Sequence, residues 1–192
     1  TKGNLNTLTP TALNGTVCSG EPAFISVSTS LQVLHWIFRT DGGAWQVYNS
    51  GSTSYSDYAT TTTAQRIREY RAIVRNTSNC SDDTTLSVTV TLKPYSNGNS
   101  TATPTVNQNM ICSGNSISAS IGGNVLYWIY RNNNGTWLTA SGGNTLIQNN
   151  TSVGQVTLRS IRAILINTST CSYDTSAQVD VTINPNSTGN VS

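Results

Sequence analysis

Leu34 to Trp45 reads LHWIFRTDGGAW, and Leu126 to Trp137 reads LYWIYRNNNGTW. The first copy alternates with a period of two, which sets Leu34, Trp36 and Phe38 on one side and Val33, His35, Ile37 and Arg39 on the other. The second copy does the same with Leu126, Trp128 and Tyr130. Between the tryptophans of each copy lies Asp41-Gly42-Gly43 or Asn133-Asn134-Gly135, residues that tolerate the positive φ of a tight hairpin. Each stretch is therefore read as two paired strands, with Trp36 and Trp128 facing inward. Trp45 and Trp137, on the second strand, either complete the core or stand exposed as stacking platforms, and the core is the preferred reading.

The duplication extends well beyond these stretches. TPT occurs at Thr9 and Thr103, VCSG at Val17 is matched by ICSG at Ile111, and REYRAIVRNTSNC, ending at Cys80, returns as RSIRAILINTSTC, ending at Cys171. TLKPYSNGNS from Thr91 resembles TINPNSTGNV from Thr182. Self-similarity at a fixed spacing is the signature of a repeat architecture. The expected units are 1–97, with a short N-terminal linker, and 98–192. The residues before Thr9 read as the tail of an earlier unit, and the chain as a piece of a longer tandem array.

Other segments carry the same two-residue period. Leu86, Val88, Val90 and Leu92 alternate with polar residues, as do Ala177, Val179, Val181 and Ile183, and Ala23, Ile25 and Val27 correspond to Ile117, Ala119 and Ile121. With a first strand near Thr11 to Val17 and a weak one between Tyr55 and Thr63, each unit has about seven strands. The expected fold is all-β: two tandem sandwiches of about seven strands each, with Trp36, Tyr70, Trp128 and Ile161 in their cores.

Composition agrees with strands and turns. Charged residues make up 9% of the chain, against about 25% in an average soluble protein, and Ser, Thr and Asn take the polar positions. A net charge of +2, with Lys and Arg scattered, is not the footprint of a nucleic-acid binder. No apolar run reaches the roughly 20 residues of a membrane span. The Asn-x-Ser/Thr triplets are read as a consequence of composition.

Catalysis is hard to build from this inventory. The single histidine, His35, is replaced by Tyr127 in the second repeat, Asp41 by Asn133 and Glu69 by Ser160. Asp82 and Asp83 are read as solvated turn residues rather than a Ca²⁺ site, and no cofactor or metal is expected. The outward side of the tryptophan strand and its neighbour, His35, Arg39, Arg71 and Arg75 in the first repeat and Tyr127, Arg131 and Arg162 in the second, is read first as an ordinary sheet face whose arginine stems cover apolar neighbours, with a ligand or partner face as the alternative. Aromatic and guanidinium groups on one sheet face suit sugar rings and carboxylates. Surface polysaccharide or other glycans are the partners this face would take, beside neighbouring repeats of the same chain.

The tryptophan strand, the late Tyr70-Arg71-Ala72 strand and the terminal alternating strand together resemble an immunoglobulin-like domain, Tyr70 resembling its tyrosine corner. Ala72 and Ala163 stand where the second inter-sheet cysteine of antibody domains would be. The [VI]CSG opening, the tryptophan strand and the NTSxC ending also resemble repeats of giant Bacteroidota cell-surface adhesins, the type IX secreted gliding-motility adhesins of the SprB type. That resemblance implies non-catalytic spacer, filament and adhesion modules on the bacterial cell surface. The alternative is a carbohydrate-binding module or an accessory domain of a secreted hydrolase.

Two cysteines per repeat at matching places suggest disulfides and an extracellular setting. Pairing within each repeat, Cys18 with Cys80 and Cys112 with Cys171, is the default. An immunoglobulin-like topology would put these partners at opposite ends of a sandwich, however, which leaves a cross-repeat link from Cys18 to Cys171 as the alternative.

Overall fold

The computed structural model describes residues 3–5, 8–77, 80–149 and 154–186. The repeated tail from Ser187 to Val191 lies outside the described residues. Two compact units divide at Tyr95/Ser96, and every regular element among the described residues is a β-strand. The first unit contains β1 (Gly3–Leu5), β2 (Thr11–Ala12), β3 (Thr16–Cys18), β4 (Ala23–Ser26), β5 (Gln32–Thr40), β6 (Gln46–Tyr48), β7 (Ser54–Asp57), β8 (Arg66–Asn76), β9 (Ser81–Thr85) and β10 (Val88–Lys93). The second contains β11 (Ser96–Asn99), β12 (Thr105–Val106), β13 (Met110–Cys112), β14 (Ser116–Ser120), β15 (Val125–Asn132), β16 (Leu138–Ala140), β17 (Thr145–Asn149), β18 (Thr157–Asn167), β19 (Ser172–Thr175) and β20 (Val179–Asn184).

Each unit is a β-sandwich of immunoglobulin-like connectivity. A three-stranded sheet, β2-β4-β7 or β12-β14-β17, faces a larger one in which β5 and β8, or β15 and β18, are central. There are ten strands where about seven are expected, and the three extra have physical causes. The first strand is broken at Leu13 to Gly15, so that β2 pairs with β4 in one sheet while β3 runs parallel to β10 in the other. The last strand is broken between β9 and β10, both of which pair with β8. At that break the Thr85 hydroxyl accepts the Ala72 amide at 3.0 Å and donates to the Leu86 carbonyl at 2.9 Å. Ser176 serves Ala163 and Ala177 in the same way, so a buried hydroxyl replaces the missing ladder bond. The break turns Leu86 out to solvent.

The third addition is β1, which runs parallel to β9, as β11 does to β19. Gly3 pairs with Asp83 and Gly98 with Asp174. A Cβ on Gly98 would run into the Asp174 carboxylate, which is the reason for glycine here. Because Ser96 to Asn99 form an edge strand of the second sandwich, the division falls two residues before the boundary read from sequence.

The core of each unit is built around one indole. Trp36 and Trp128 are fully buried, in register with Ala72 and Ala163 on the adjacent strand, whose methyl groups leave room for the ring. Each indole N–H donates to a carbonyl in the loop before the next sheet, Ser52 or Gly143, at 2.9 Å. Tyr70 and Ile161 are fully buried as well. The alternation in β5 is interrupted by a bulge between Val33 and His35, and in β15 between Val125 and Tyr127. An extra residue reverses the facing of what precedes it, so Val33 joins Trp36 in the core. Leu126, read as inward-facing, is 44% exposed.

Tyr70 differs from a tyrosine corner in its acceptor. Its hydroxyl donates to the Asp57 carboxylate at 2.7 Å, not to backbone, and Arg68 pairs with the same oxygen. Burial, then the bond to Asp57, pushes the Tyr70 hydroxyl far above its usual pKa. In the second sandwich the register aligns Gln148 with Asp57 and Ile161 with Tyr70, and Arg159 donates to Gln148 at 3.2 Å. One repeat thus closes its sheet ends with a charged triad and the other with a neutral amide.

The hairpin turns use their polar residues alike. Asp41 and Asn133 both sit at positive φ, and each accepts an amide from the neighbouring strand, Ile67 or Leu158, at 2.8 Å. That amide, followed by the Arg66 guanidinium, holds the Asp41 carboxyl below the usual carboxylate range.

Trp128→Ala is expected to lower the stability of the second repeat by about 3–5 kcal/mol, and Trp128→Phe by clearly less, read from urea midpoints. Equal losses in the two variants would show that ring volume is not what the indole contributes. For the polar triad, Asp57→Gln and Tyr70→Ile each break a buried network at about 1–3 kcal/mol. The double variant, which reproduces the second repeat, should cost less than their sum. Additive losses in a double-mutant cycle would rule out this coupling.

Candidate functional site: the arginine and tryptophan face

The antiparallel register of β5 with β8 sets Ile37 beside Arg71 and Arg39 beside Glu69. All four project from the outer face, because Trp36, Tyr70 and Ala72 take the inner one. Trp45 immediately precedes β6 and folds back over this face. The Arg39 and Arg71 guanidinium carbons lie 4.7 and 4.8 Å from its ring centroid, within cation–π range. Arg39 also binds Glu69 in bidentate fashion, Nε to Oε1 at 2.9 Å and Nη2 to Oε2 at 2.8 Å. A planar fork held by a carboxylate is fixed in position as well as charge.

The second repeat builds the same stack. Arg131 and Arg162 lie 4.6 and 5.2 Å from the Trp137 centroid. Ser160 replaces Glu69 and cannot clamp them, and the acceptor comes instead from β20's side of the sheet. Arg131 and Arg162 both donate to Gln178 Oε1, at 3.5 and 3.4 Å, and Gln178 Nε2 donates to Asp180 at 2.8 Å. A second arginine stack beneath repeats as well, Arg68 over Phe38 at 4.4 Å and Arg159 over Tyr130 at 5.2 Å.

Trp45 and Trp137 are therefore half-buried hubs of the outer face rather than members of the core clusters. This corrects the preferred reading and gives the arginines a local partner in each repeat. The remaining face residues stand apart from the stacks. Arg75 pairs with Asp82 at 3.3 Å, and His35 is half-buried in register with Ile73. Tyr127 lies in an open groove of about 580 Å³ with Leu126, Ile164, Tyr173 and β11. The outer face thus consists of aromatic-arginine stacks in which Arg39, Arg131 and Arg162 also bind side-chain acceptors, while Arg71 is engaged by the Trp45 ring. The sequence signal that pairs them is Trp45 nine residues after Trp36, and Trp137 nine after Trp128.

The acidic residues are also engaged. Asp83, nearly fully buried, accepts from Asn76 at 3.0 Å and Ser81 at 2.7 Å, and its counterpart Asp174 accepts from Asn167 at 3.1 Å. No group of three or more His, Cys, Asp or Glu side chains able to hold a metal ion occurs among the described residues. No helix among them is long and apolar enough to cross a membrane.

The cysteines overturn the default pairing. Cys18 and Cys171 are each half of a disulfide, whereas Cys80 and Cys112 are free and exposed. Neither within-repeat bond, Cys18 to Cys80 or Cys112 to Cys171, is formed. The physical reason lies in the strands: Cys18 ends β3 in register with Lys93, while Cys80 precedes β9 at the far end of β8.

No protein-family model matches the chain, and no curated protein matches it. Among solved structures, one similar to it is described as fibronectin(III)-like modules of Clostridium thermocellum CbhA. The identity is 11% and the TM-score 0.36, covering 92% of this chain and 93% of that one.

Removing both stacking arginines of one repeat, as Arg39→Ala with Arg71→Ala, should uncover Trp45. The expected readouts are red-shifted emission and increased acrylamide quenching of one tryptophan. The Arg131→Ala and Arg162→Ala pair should do the same to Trp137. Unchanged quenching in either pair would mean that the guanidinium groups do not cover the indole.

Proposed function

We propose that this chain is a pair of non-catalytic immunoglobulin-like modules from a long extracellular bacterial surface adhesin, acting as spacer and display units in a filament. The observation that carries this reading is the linker. The segment joining the repeats, Ser96 to Asn99, is an edge strand of the following sandwich, and the same kind of segment, Gly3 to Leu5, precedes the first. Residues laddered into the edge of a sandwich are structure rather than free polar tether, and modules in series of this kind suit a chain whose task is reach. The disulfide fits an extracellular setting. The resemblance to gliding-motility adhesins supports surface display and, in gliding bacteria, force transmission along the cell surface.

A carbohydrate-binding role is the reading to test against. It would use the exposed edges of the Trp45 and Trp137 stacks, but Arg39, Arg131 and Arg162 already bind acceptors within the chain, which leaves Arg71 as the arginine without one. On an array of neutral and acidic glycans the purified chain is expected to bind none. Glycan binding that Arg71→Ala and Arg162→Ala abolish would overturn the spacer reading. In the cell, excising one whole repeat from the parent should preserve surface display and shorten the reach of the filament in electron micrographs. Unchanged reach would equally refute it.

A further inference from the structure

An asparagine followed by glycine can turn its side chain on its own backbone, because glycine has no Cβ to shield the next amide nitrogen. The chain has three such pairs, Asn14-Gly15, Asn97-Gly98 and Asn134-Gly135. The attack needs a glycine N–H that is not already committed and a backbone with room to bend. The fold grants these to one pair and denies them to the other two.

Gly135 donates its amide to the Asn132 carbonyl at 2.8 Å, in a hairpin turn that holds Asn133 and Asn134 at φ 46° and 59°. Gly98 lies inside the ladder of β11 with β19, opposite Asp174. The amides of Ser96 and Ser100 on either side of it donate to the Cys171 and Thr175 carbonyls, so the alternation of a strand points the Gly98 amide into the same ladder. Both pairs are closed.

Asn14-Gly15 is open. It occupies the break between β2 and β3, where Leu13 to Thr16 are all exposed. A Cβ on Gly15 would meet nothing within 4 Å. Among the described residues no hydrogen bond engages the Gly15 amide or the Asn14 carboxamide; only the Gly15 carbonyl is used, by the Thr91 amide at 2.9 Å. The second repeat supplies an internal control. Its Thr182 amide donates to the Asn109 carbonyl, also at 2.9 Å, so Gln108-Asn109 stands where the first repeat has Asn14-Gly15.

We infer that Asn14 is a site of spontaneous covalent modification, an intramolecular deamidation that loosens the sheet-crossing strand of the first repeat as the molecule ages. The Gly15 amide nitrogen gives up its proton and bonds to the Asn14 side-chain carbonyl carbon, and the bond from that carbon to the carboxamide nitrogen breaks to release ammonia. Water then opens the cyclic imide at either carbonyl, leaving aspartate or isoaspartate. One water is consumed, one ammonia is lost, and no electrons are transferred. Isoaspartate runs the main chain through the former side chain, which inserts a methylene between β2 and β3 and sets a carboxylate on the bend. The carbonyl that receives the Thr91 amide is the next one along. The inference is independent of the spacer reading.

The test incubates the full chain in mildly alkaline buffer beside a free peptide of Leu13 to Val17, which reports the reactivity of the unfolded sequence. Peptide mapping should find the mass gain of an amide-to-acid conversion, with isoaspartate, at Asn14 before Asn97 and Asn134. Gly15→Ala and Asn14→Gln, both at exposed positions, should lose it. Hydrogen exchange at Thr91 should quicken in the aged chain while Thr182 keeps its protection, and the aged Gly15→Ala chain should show neither change. Earlier reaction at Asn97 or Asn134, an intact Asn14 when the free peptide has reacted, or a modified Asn14 with unchanged exchange at Thr91 would each overturn the inference. None of these results would alter the glycan and reach tests of the spacer reading.

Discussion

The packing of one indole against one alanine organises each sandwich. Trp36 can be fully buried between the sheets because its register partner is Ala72, and Trp128 because its partner is Ala163. A larger residue there would force the ring off its rotamer or the strands apart, since interiors leave little free volume. The N–H bond to Ser52 or Gly143 then ties the loop leading to the smaller sheet to the centre of the larger one. Burying that N–H without an acceptor would cost much of what the ring contributes. The same two features hold sheet separation and loop path together in both repeats, while most of the surrounding side chains differ.

Around that constant centre the repeats solve equivalent problems with different chemistry. Asp57, Arg68 and Tyr70 form a charged network where the second repeat has Gln148, Arg159 and Ile161. Glu69 fixes the outer arginine in one, and Gln178, itself held by Asp180, fixes it in the other. Asp41 and Asn133 staple the hairpin with the same oxygen and different charge. At Asp57/Gln148 and Asp41/Asn133 the position of an acceptor is kept and its ionisation is not, whereas the outer arginines are held from a different strand in each repeat. Geometry of hydrogen bonding, more than charge, is what the fold requires at those two positions, since a neutral amide serves where a carboxylate does.

The period-two stretches, the hairpin turns and the two indoles could be read from sequence because they depend on local pattern and residue size. The bulge at Leu34 could not, since an inserted residue leaves an alternating string looking regular while reversing Val33. The break after Thr85 was hidden for a related reason: it depends on a hydroxyl replacing a ladder bond, and threonine is equally at home in an unbroken strand. The match of Asp57 with Gln148 is concealed by a connection one residue longer in the first repeat, so that only strand register reveals it. Trp45 and Trp137 were harder still. Inward and outward faces of a short edge strand look alike in sequence, and the arginines that cover the rings are distant in the chain. The cysteine positions were plain, but which of them are bonded and which are free was not.

Edge strands explain why the linker is built as it is. An unpaired strand offers a row of amides and carbonyls to any passing chain, and β9 and β19 would be such edges in a sandwich ending at its last strand. In this chain β1 and β11 occupy them, with a glycine set opposite Asp83 or Asp174 in each. The opposite sheet is limited by β2 and β12, each two residues long, too short to template much pairing. Each sandwich therefore finishes its edge with the segment that precedes it in the chain. The segment from Ser96 to Asn99 thus both follows the first sandwich in sequence and covers an edge of the second, and removing it would expose β19.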